Sequence, residues 1–404
     1  MKSLLRFELR KILCRKVNLI ALILGVLLIV ISNIALIHGE FLCLDEENSL
    51  EGVEAIKTQS EIENALASEL SEEFLTGFLQ DYRKEIQNQP LGYDFFLIAP
   101  KLSLYSLLAS NYAEWNEEWT WEDLGKISTE NGIGFYERRI EKIKTLLNAE
   151  YSYGNYTDIE KDYWIQKAEA IRTPFIWGSR TVWDTIWTSI GLLFFQLFVI
   201  SICIAPVFAG EYQNRTDALI LSAKHGKTKL IQAKIIASFL FTLLYIALCS
   251  TISIGINIAI LGADGWNLPV QLWDTVIPYQ LTAVEACAIN LVVIFLLSFS
   301  LTAITLVLSA VCKSQMIVLA VDVLLFFGTV FLPSSKASGL WNHILCLLPI
   351  HTFNLRDVLK MYNSYQFGNV VISYLMMILI VYALITVVCP WCAGRCFKKY
   401  QIGK

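Results

Sequence analysis

Residues 17–38 read VNLIALILGVLLIVISNIALIH, an apolar run of about 22 residues with no Asp, Glu, Lys or Arg in it. A helix rises about 1.5 Å per residue, so about 20 apolar residues cross the roughly 30 Å of bilayer hydrocarbon. A signal peptide has a shorter apolar core and a small-x-small cleavage site. The run lacks both features and reads as a retained span. Five further apolar runs follow, near 183–208, 230–261, 279–311, 316–332 and 370–391. The chain has 404 residues, 55% of them hydrophobic, and these runs carry that excess. Such a chain cannot be a soluble enzyme.

Upstream of the first run, Leu5, Leu9, Ile12 and Leu13 fall on one helical face, and Lys2, Arg6 and Arg10 form a basic stripe. This pattern predicts a helix lying in the headgroup plane over residues 1–16. Downstream, Glu40 to Ser179 holds 27 acidic and 12 basic residues, whereas the rest of the chain holds 9 and 20. The split marks two environments. The acidic part predicts a mostly helical domain outside the membrane, with helices over 61–87 and 134–150 and an aromatic-rich region around Trp115, Trp119 and Trp121. The basic residues sit beside apolar spans, where they act as topology signals, so nucleic acid is not an expected partner.

Met1–Lys16, Gly210–Lys234, Lys313 and the tail with Arg395, Lys398, Lys399 and Lys404 all fall on one side if there are six spans. Trp177, Trp183 and Trp187 mark the outer end of the second. The expected fold is an all-α polytopic membrane protein. It has an interfacial helix at 1–16, transmembrane helix 1 at 17–38, and an extracytoplasmic domain at 39–180. A transmembrane domain at 181–404 carries helices 2–6 and a polar segment at 210–234. Both termini are expected in the cytoplasm.

The sequence offers no catalytic constellation. Gly226-Lys227-Thr228 resembles the end of a phosphate-binding loop, but that loop needs a glycine five residues earlier, where Leu221 stands. None of the four histidines belongs to a His-Glu-x-x-His pattern. Cys389, Cys392 and Cys396 cluster near the last span, one ligand short of a structural zinc site. No metal ligand set is expected.

Polar residues inside the spans are more informative. A charge in hydrocarbon costs about 2.5–3.5 kcal/mol on insertion scales, so Asp322 should face the bundle interior, as a structural contact or as part of a substrate path. Gln196 and Asn290 can hydrogen-bond across helices. In the polar segment, Glu211 and Arg215 are spaced i, i+4, a favourable helix pair. Leu219, Ile220 and Leu221 follow as an apolar patch, then Lys224, Lys227 and Lys229. A short amphipathic helix of this kind suits docking into a partner's groove.

This architecture resembles the permease subunits of type-2 ABC transporters, the exporter-like superfamily. In that family the second span ends in an acidic residue, followed by a threonine, a Leu-Ser-like pair, a basic residue and a lysine that opens the third span. Glu211, Thr216, Leu221-Ser222, Lys227 and Lys234 occupy those positions. The chain departs from the pattern at Arg215, where Gly is common, and at Ala223, where Pro is common. The resemblance implies that Glu211, Arg215, Thr216, Leu219, Leu221, Ser222 and Lys227 couple to a separate ATPase subunit, which binds ATP and Mg; this chain binds no cofactor. It implies a second permease subunit, the same or a related chain, contact with membrane lipid, and a translocation path that Asp322, Gln196 and Asn290 could line. It also implies short re-entrant or external helices over 333–369. The expected function is export or extrusion of a peptide, antibiotic or lipid-like substrate across a bacterial plasma membrane. The rival expectation is a membrane-bound sensor or immunity protein with an external ligand-binding domain.

Overall fold

The computed structural model describes residues 1–44, 48–87, 101–118, 120, 124–125, 127–129, 132–152, 154–223, 225–332 and 339–399. The expected positions Trp119, Trp121, Pro333, Lys224 and Lys404 lie outside them. The described chain is mostly helical. Five helices are long and apolar enough to cross a membrane.

Helix α1 (Lys2–Leu13) stops at Cys14, and α2 (Lys16–His38) starts after Arg15 in extended conformation. Thus the amphipathic and apolar runs are separate helices. A short hairpin follows, β1 (Phe41–Cys43) paired antiparallel with β2 (Ser49–Glu51). Then come α3 (Gly52–Ala65), α4 (Glu72–Gln87), α5 (Leu102–Tyr112), α6 (Phe135–Asn148) and α7 (Asp158–Glu169).

The single helix expected over 61–87 is divided between α3 and α4. Residues between them bond to a distant extended run instead: Leu70 N–H donates to Phe175 O at 2.8 Å, and Trp177 N–H to Ser68 O at 2.8 Å. Helix α6 starts late because Gly134 adopts φ 63° before it. The Glu72 carboxylate caps that start, accepting from the amides of Ile133, Gly134 and Phe135 at 3.1, 2.9 and 2.8 Å. An acidic group there also complements the helix dipole.

The second span is a kinked composite: α8 (Thr181–Gly191), a 3₁₀ stretch Leu192–Phe195, α9 (Gln196–Ile204) and α10 (Pro206–Gln213). It is the most enclosed of the five. A short helix α11 (Asp217–Ser222) and a π-helical turn, Gly226–Leu230, lead into α12 (Ile231–Leu261). Helix α13 (Ala283–Val311) begins at a Thr282–Glu285 capping box, which leaves the expected residues 279–282 outside it.

Helix α14 (Gln315–Phe326) has 12 residues and is followed by a 3₁₀ turn, Gly328–Phe331. Twelve residues rise about 18 Å, short of the roughly 30 Å core. Of the six expected crossings, this one is therefore present as a shorter apolar segment. Helices α15 (Leu340–Cys346), α16 (Pro349–Thr352) and α17 (Leu355–Lys360) are the short helices expected in this part of the chain. A hairpin follows, β3 (Ser364–Phe367) with β4 (Val370–Ser373). Helix α18 (Tyr374–Lys399) therefore starts four residues later than the sequence suggested, because 370–373 are spent on the hairpin.

The acidic region does not form a separate core. One apolar cluster runs from Leu75, Leu108 and Ile143 through Trp187 and Ile200 to Phe397. Polar contacts fix the seam. Glu63 of α3 caps the start of α8, accepting from the Arg180 and Thr181 amides at 2.9 and 3.2 Å. Buried Arg139 of α6 donates to the carbonyls of Thr275, Ala168 and Ile277 at 2.6, 3.0 and 3.3 Å. Asp184 of α8 pairs with Arg356 of α17 at 2.9 Å.

Candidate functional site

The polar segment after the second span is clamped by buried charges. Glu211 is in the last turn of α10 and is buried. Its Oε1 accepts from Lys234 Nζ at 2.7 Å and from Lys11 Nζ at 2.5 Å, and its Oε2 from the Thr216 hydroxyl at 2.5 Å. Lys234 Nζ also donates to Glu8 Oε2 at 2.9 Å. The result is an alternating chain, Lys11–Glu211–Lys234–Glu8, across α1, α10 and α12. Side chains of Glu8, Lys234 and Glu211 are 6%, 1% and 4% exposed. Two positive and two negative groups neutralise one another. Burying paired charges is tolerated, whereas removing one partner leaves a charge uncompensated at a cost of about 3–5 kcal/mol.

The i, i+4 pair expected between Glu211 and Arg215 does not form. Arg215 lies beyond the helix at φ 57°, is exposed, and makes no ion pair among the described residues. Lys11 and Lys234 take its place. The left-handed residue reverses the chain so that Thr216 N–H reaches Glu211 O at 3.0 Å. Glycine is the usual residue for that conformation, and here an arginine adopts it.

The same turn presents α11. Leu219 is 72% exposed, whereas Leu221 is buried, so the Leu219-Ile220-Leu221 patch splits between surface and core. Ser222 is exposed and donates to Leu219 O at 3.1 Å; Lys227 is exposed on the π-helical turn. Gly226 explains its own identity: a Cβ there would lie 1.5 Å from Ile220 O. It permits close backbone packing between the turn and α11.

Three polar groups expected within the spans are all buried, in separate places. Asp322 of α14 accepts through Oδ2 from the hydroxyls of Ser201 on α9 and Thr305 on α13, the latter at 2.7 Å. Its Oδ1 has no hydrogen-bond partner. Gln196 of α9 accepts from Tyr245 Oη of α12 at 2.5 Å. Gly25 of α2 packs against this pair, where a Cβ would meet Tyr245 Oη at 2.2 Å. Asn290 borders a small gap with Trp187 and Arg356.

Several contacts were not foreseen. Glu8 sits three residues after Leu5 and four before Ile12 on the packed face of α1, and that position is its one sequence signal. Asn257 of α12 donates to Asn33 Oδ1 of α2 at 2.7 Å and to Ser189 Oγ of α8 at 3.2 Å. At the acidic end, a cavity of about 440 Å³ opens between β1, α3, α8 and α17, bordered by Phe41, Leu42, Ile56, Glu40, Asp184 and Arg356. Burial, and secondarily the Asp184 charge, push the Glu40 carboxyl up from its usual range. On α7, Lys167 Nζ lies over Tyr279, Trp164 and Tyr163 at 3.7, 5.2 and 5.6 Å from the ring centres, and burial lowers its pKa to about 8.

Apolar spans, a kinked buried second span and an ionic clamp behind an exposed polar segment define a helical, polytopic membrane protein. Residues 3–393 match the ABC-2 family transporter protein family, and the chain belongs to that family: it is a permease of an ABC transporter, a membrane transport component. No curated protein matches it.

Proposed function

We infer that this permease extrudes a peptide, antibiotic or lipid-like substrate and is driven by ATP hydrolysed on a separate subunit. The observation that carries the reading is the clamp Lys11–Glu211–Lys234–Glu8. It fastens the exposed face of Leu219, Ser222 and Lys227 to the interfacial helix and to two spans. A partner pushing on α11 would therefore move α1, α10 and α12 together rather than bend a loop. Arg215 and Thr216 form the turn that sets this face, and Leu221 roots it. ATP and Mg belong to the partner in this reading.

The outer cavity supports an amphipathic cargo, since apolar Phe41, Leu42 and Ile56 border it together with charged Glu40, Asp184 and Arg356. Exposed apolar side chains on α2 (Ile20, Leu24, Leu27) and on α14 (Met316, Ile317, Leu324) offer faces for lipid or for a second permease subunit. The basic residues around the clamp support a cytoplasmic placement of that end in a bacterial plasma membrane.

The test is affinity capture of the detergent-solubilised chain from its native membrane, with Leu219→Asp and Lys227→Glu in parallel. Recovery of an ATPase subunit with the parent, and its loss with the variants at unchanged thermal stability, is the expected result. A folded parent that captures no ATPase would overturn the coupling.

A further inference from the structure

The clamp borders a cavity of about 220 Å³ that it does not fill. A water occupies about 30 Å³ in the liquid, so the space suits a headgroup-sized solute rather than one water. The cavity lies where α1 turns into α2. Lys11, Arg15, Lys234 and Glu8 border it together with Asn18 and Gln315. Glu211 lies behind Lys11 and Lys234 and neutralises one of them. Counting both carboxylates against the three cations leaves one positive charge in excess.

Two helix starts converge there. Arg15 is the N-cap of α2, and Ser314 that of α14; neither supplies a side-chain cap. Arg15 Nη2 donates to Gln315 Oε1 at 2.8 Å and ties the two starts together. Their first-turn amides have no intrahelical acceptor, and both helix dipoles favour an anion. A second observation adds the other half of the ligand. Asn18 is 1% exposed and uses Nδ2 on Ile12 O and Cys203 O at 2.8 and 3.4 Å. Its Oδ1 has no hydrogen-bond partner. Asn18 therefore asks the occupant for a donor, while Lys11, Arg15 and the amides ask it for acceptors.

We propose that this cavity binds the headgroup of an anionic phospholipid whose phosphodiester is followed by a hydroxyl group, as in a glycerol-headed lipid. The phosphate satisfies the single excess charge, and the hydroxyl donates to Asn18 Oδ1. The source is a lipid because the two helices that meet at the cavity also carry exposed apolar side chains, Phe7 and Leu13 on α1 and Val17 and Ile20 on α2, which suit contact with acyl chains. Such a lipid would cement the α1–α2 joint beside the clamp.

The test uses the full chain in nanodiscs of phosphatidylcholine, alone and with phosphatidylglycerol. Retained lipid is read by native mass spectrometry and stability by thermal unfolding. The expected result is selective retention of phosphatidylglycerol and a raised unfolding midpoint. Retention should fall about fivefold or more in Arg15→Gln, the loss of one guanidinium–phosphate contact. It should be unchanged in Lys2→Gln, an exposed cation of α1 that does not border the cavity. Should Arg15→Gln fold poorly, Gln315→Ala frees the Arg15 anchor and should lower retention as well. Equal losses in Lys2→Gln and Arg15→Gln would mean general surface attraction and overturn the site. Equal stabilisation by glycerol 3-phosphate or inorganic phosphate in phosphatidylcholine discs would assign a soluble anion and overturn the lipid.

Discussion

Lys234 and Glu211 meet at 2.7 Å in the interior although 23 positions and an entire polar segment separate them. Each also holds a second opposite charge, Glu8 for Lys234 and Lys11 for Glu211. The segment between them is thus a closed loop pinned at both ends to α1. Its geometry is set by the clamp, not by helix propensity, and so it departs from the helix pair expected at Glu211 and Arg215.

Lys234→Met should therefore destabilise the protein far more than Arg215→Ala. Losing Lys234 leaves the buried Glu8 carboxylate without its cation and Glu211 with Lys11 alone, a cost of about 3–5 kcal/mol. Arg215 is exposed and unpaired among the described residues, and its loss should fall within about 0.5 kcal/mol. Thermal or denaturant unfolding in detergent measures both. Pairing Lys234→Met with Glu8→Gln should recover part of the loss, since the partner charge is removed; strict additivity would deny that Glu8 and Lys234 form one unit.

Much of this was legible in the sequence, for a physical reason. The long apolar runs at 17–38, 230–261 and 279–311 have no alternative to spanning, because backbone polar groups in hydrocarbon must be satisfied within a helix. Glu211 and Lys234 stand out because each charge borders an apolar run. Glu8 is hidden, since one acid in a basic amphipathic helix looks like an ordinary surface residue until α12 covers it. The division between α3 and α4 was likewise invisible: helix periodicity carries no record of Phe175 and Trp177, which compete for residues 68–70 from a hundred positions away. The weakest span, α14, is also the one whose apolar run was shortest.

Gly226→Ala should perturb the exposed face while leaving the clamp residues in place. The added Cβ would collide with Ile220 O, so α11 and the π-helical turn must separate. Overpacking of this kind costs about 1–3 kcal/mol. Faster hydrogen exchange over 216–230, with that of α2 and α13 unchanged, is the expected signature. Leu219→Ala, an exposed position, should leave exchange in the same segment as it is.

Lys167 makes a pH prediction for the acidic end. Burial places its folded pKa near 8, below the 10.5 of an ordinary lysine. Between those values the unfolded chain binds more protons than the folded one, so stability rises with pH across the window. The contribution is lost as pH falls through about 8. The unfolding midpoint should rise between pH 7.5 and 9.5, and the rise should shrink in Lys167→Met. Tyr136 of α6 works the other way: burial pushes it up to about 12, so its contribution declines only above pH 10. Keeping the titration below that point separates the two.

Asp322 divides a structural role from a transport role. Ser201 and Thr305 both donate to its Oδ2, while Oδ1 has no partner. In Asp322→Asn the carbonyl oxygen can still accept from both hydroxyls, and the amide takes the place of Oδ1. The fold should be kept, with an unfolding midpoint near that of the parent. Asp322→Leu removes the acceptor altogether. Both hydroxyls can turn to their own i−4 carbonyls, so the expected cost is the modest one of a lost buried hydrogen bond, about 1–3 kcal/mol. ATP-driven flux in proteoliposomes with the partner ATPase then decides the role. If Asp322 only holds α14 against α9 and α13, Asn should transport like the parent and Leu should lose flux in step with stability. If the carboxylate serves the substrate path, Asn should fold normally and still lose flux, because the group lost is the acid and not the hydrogen bond.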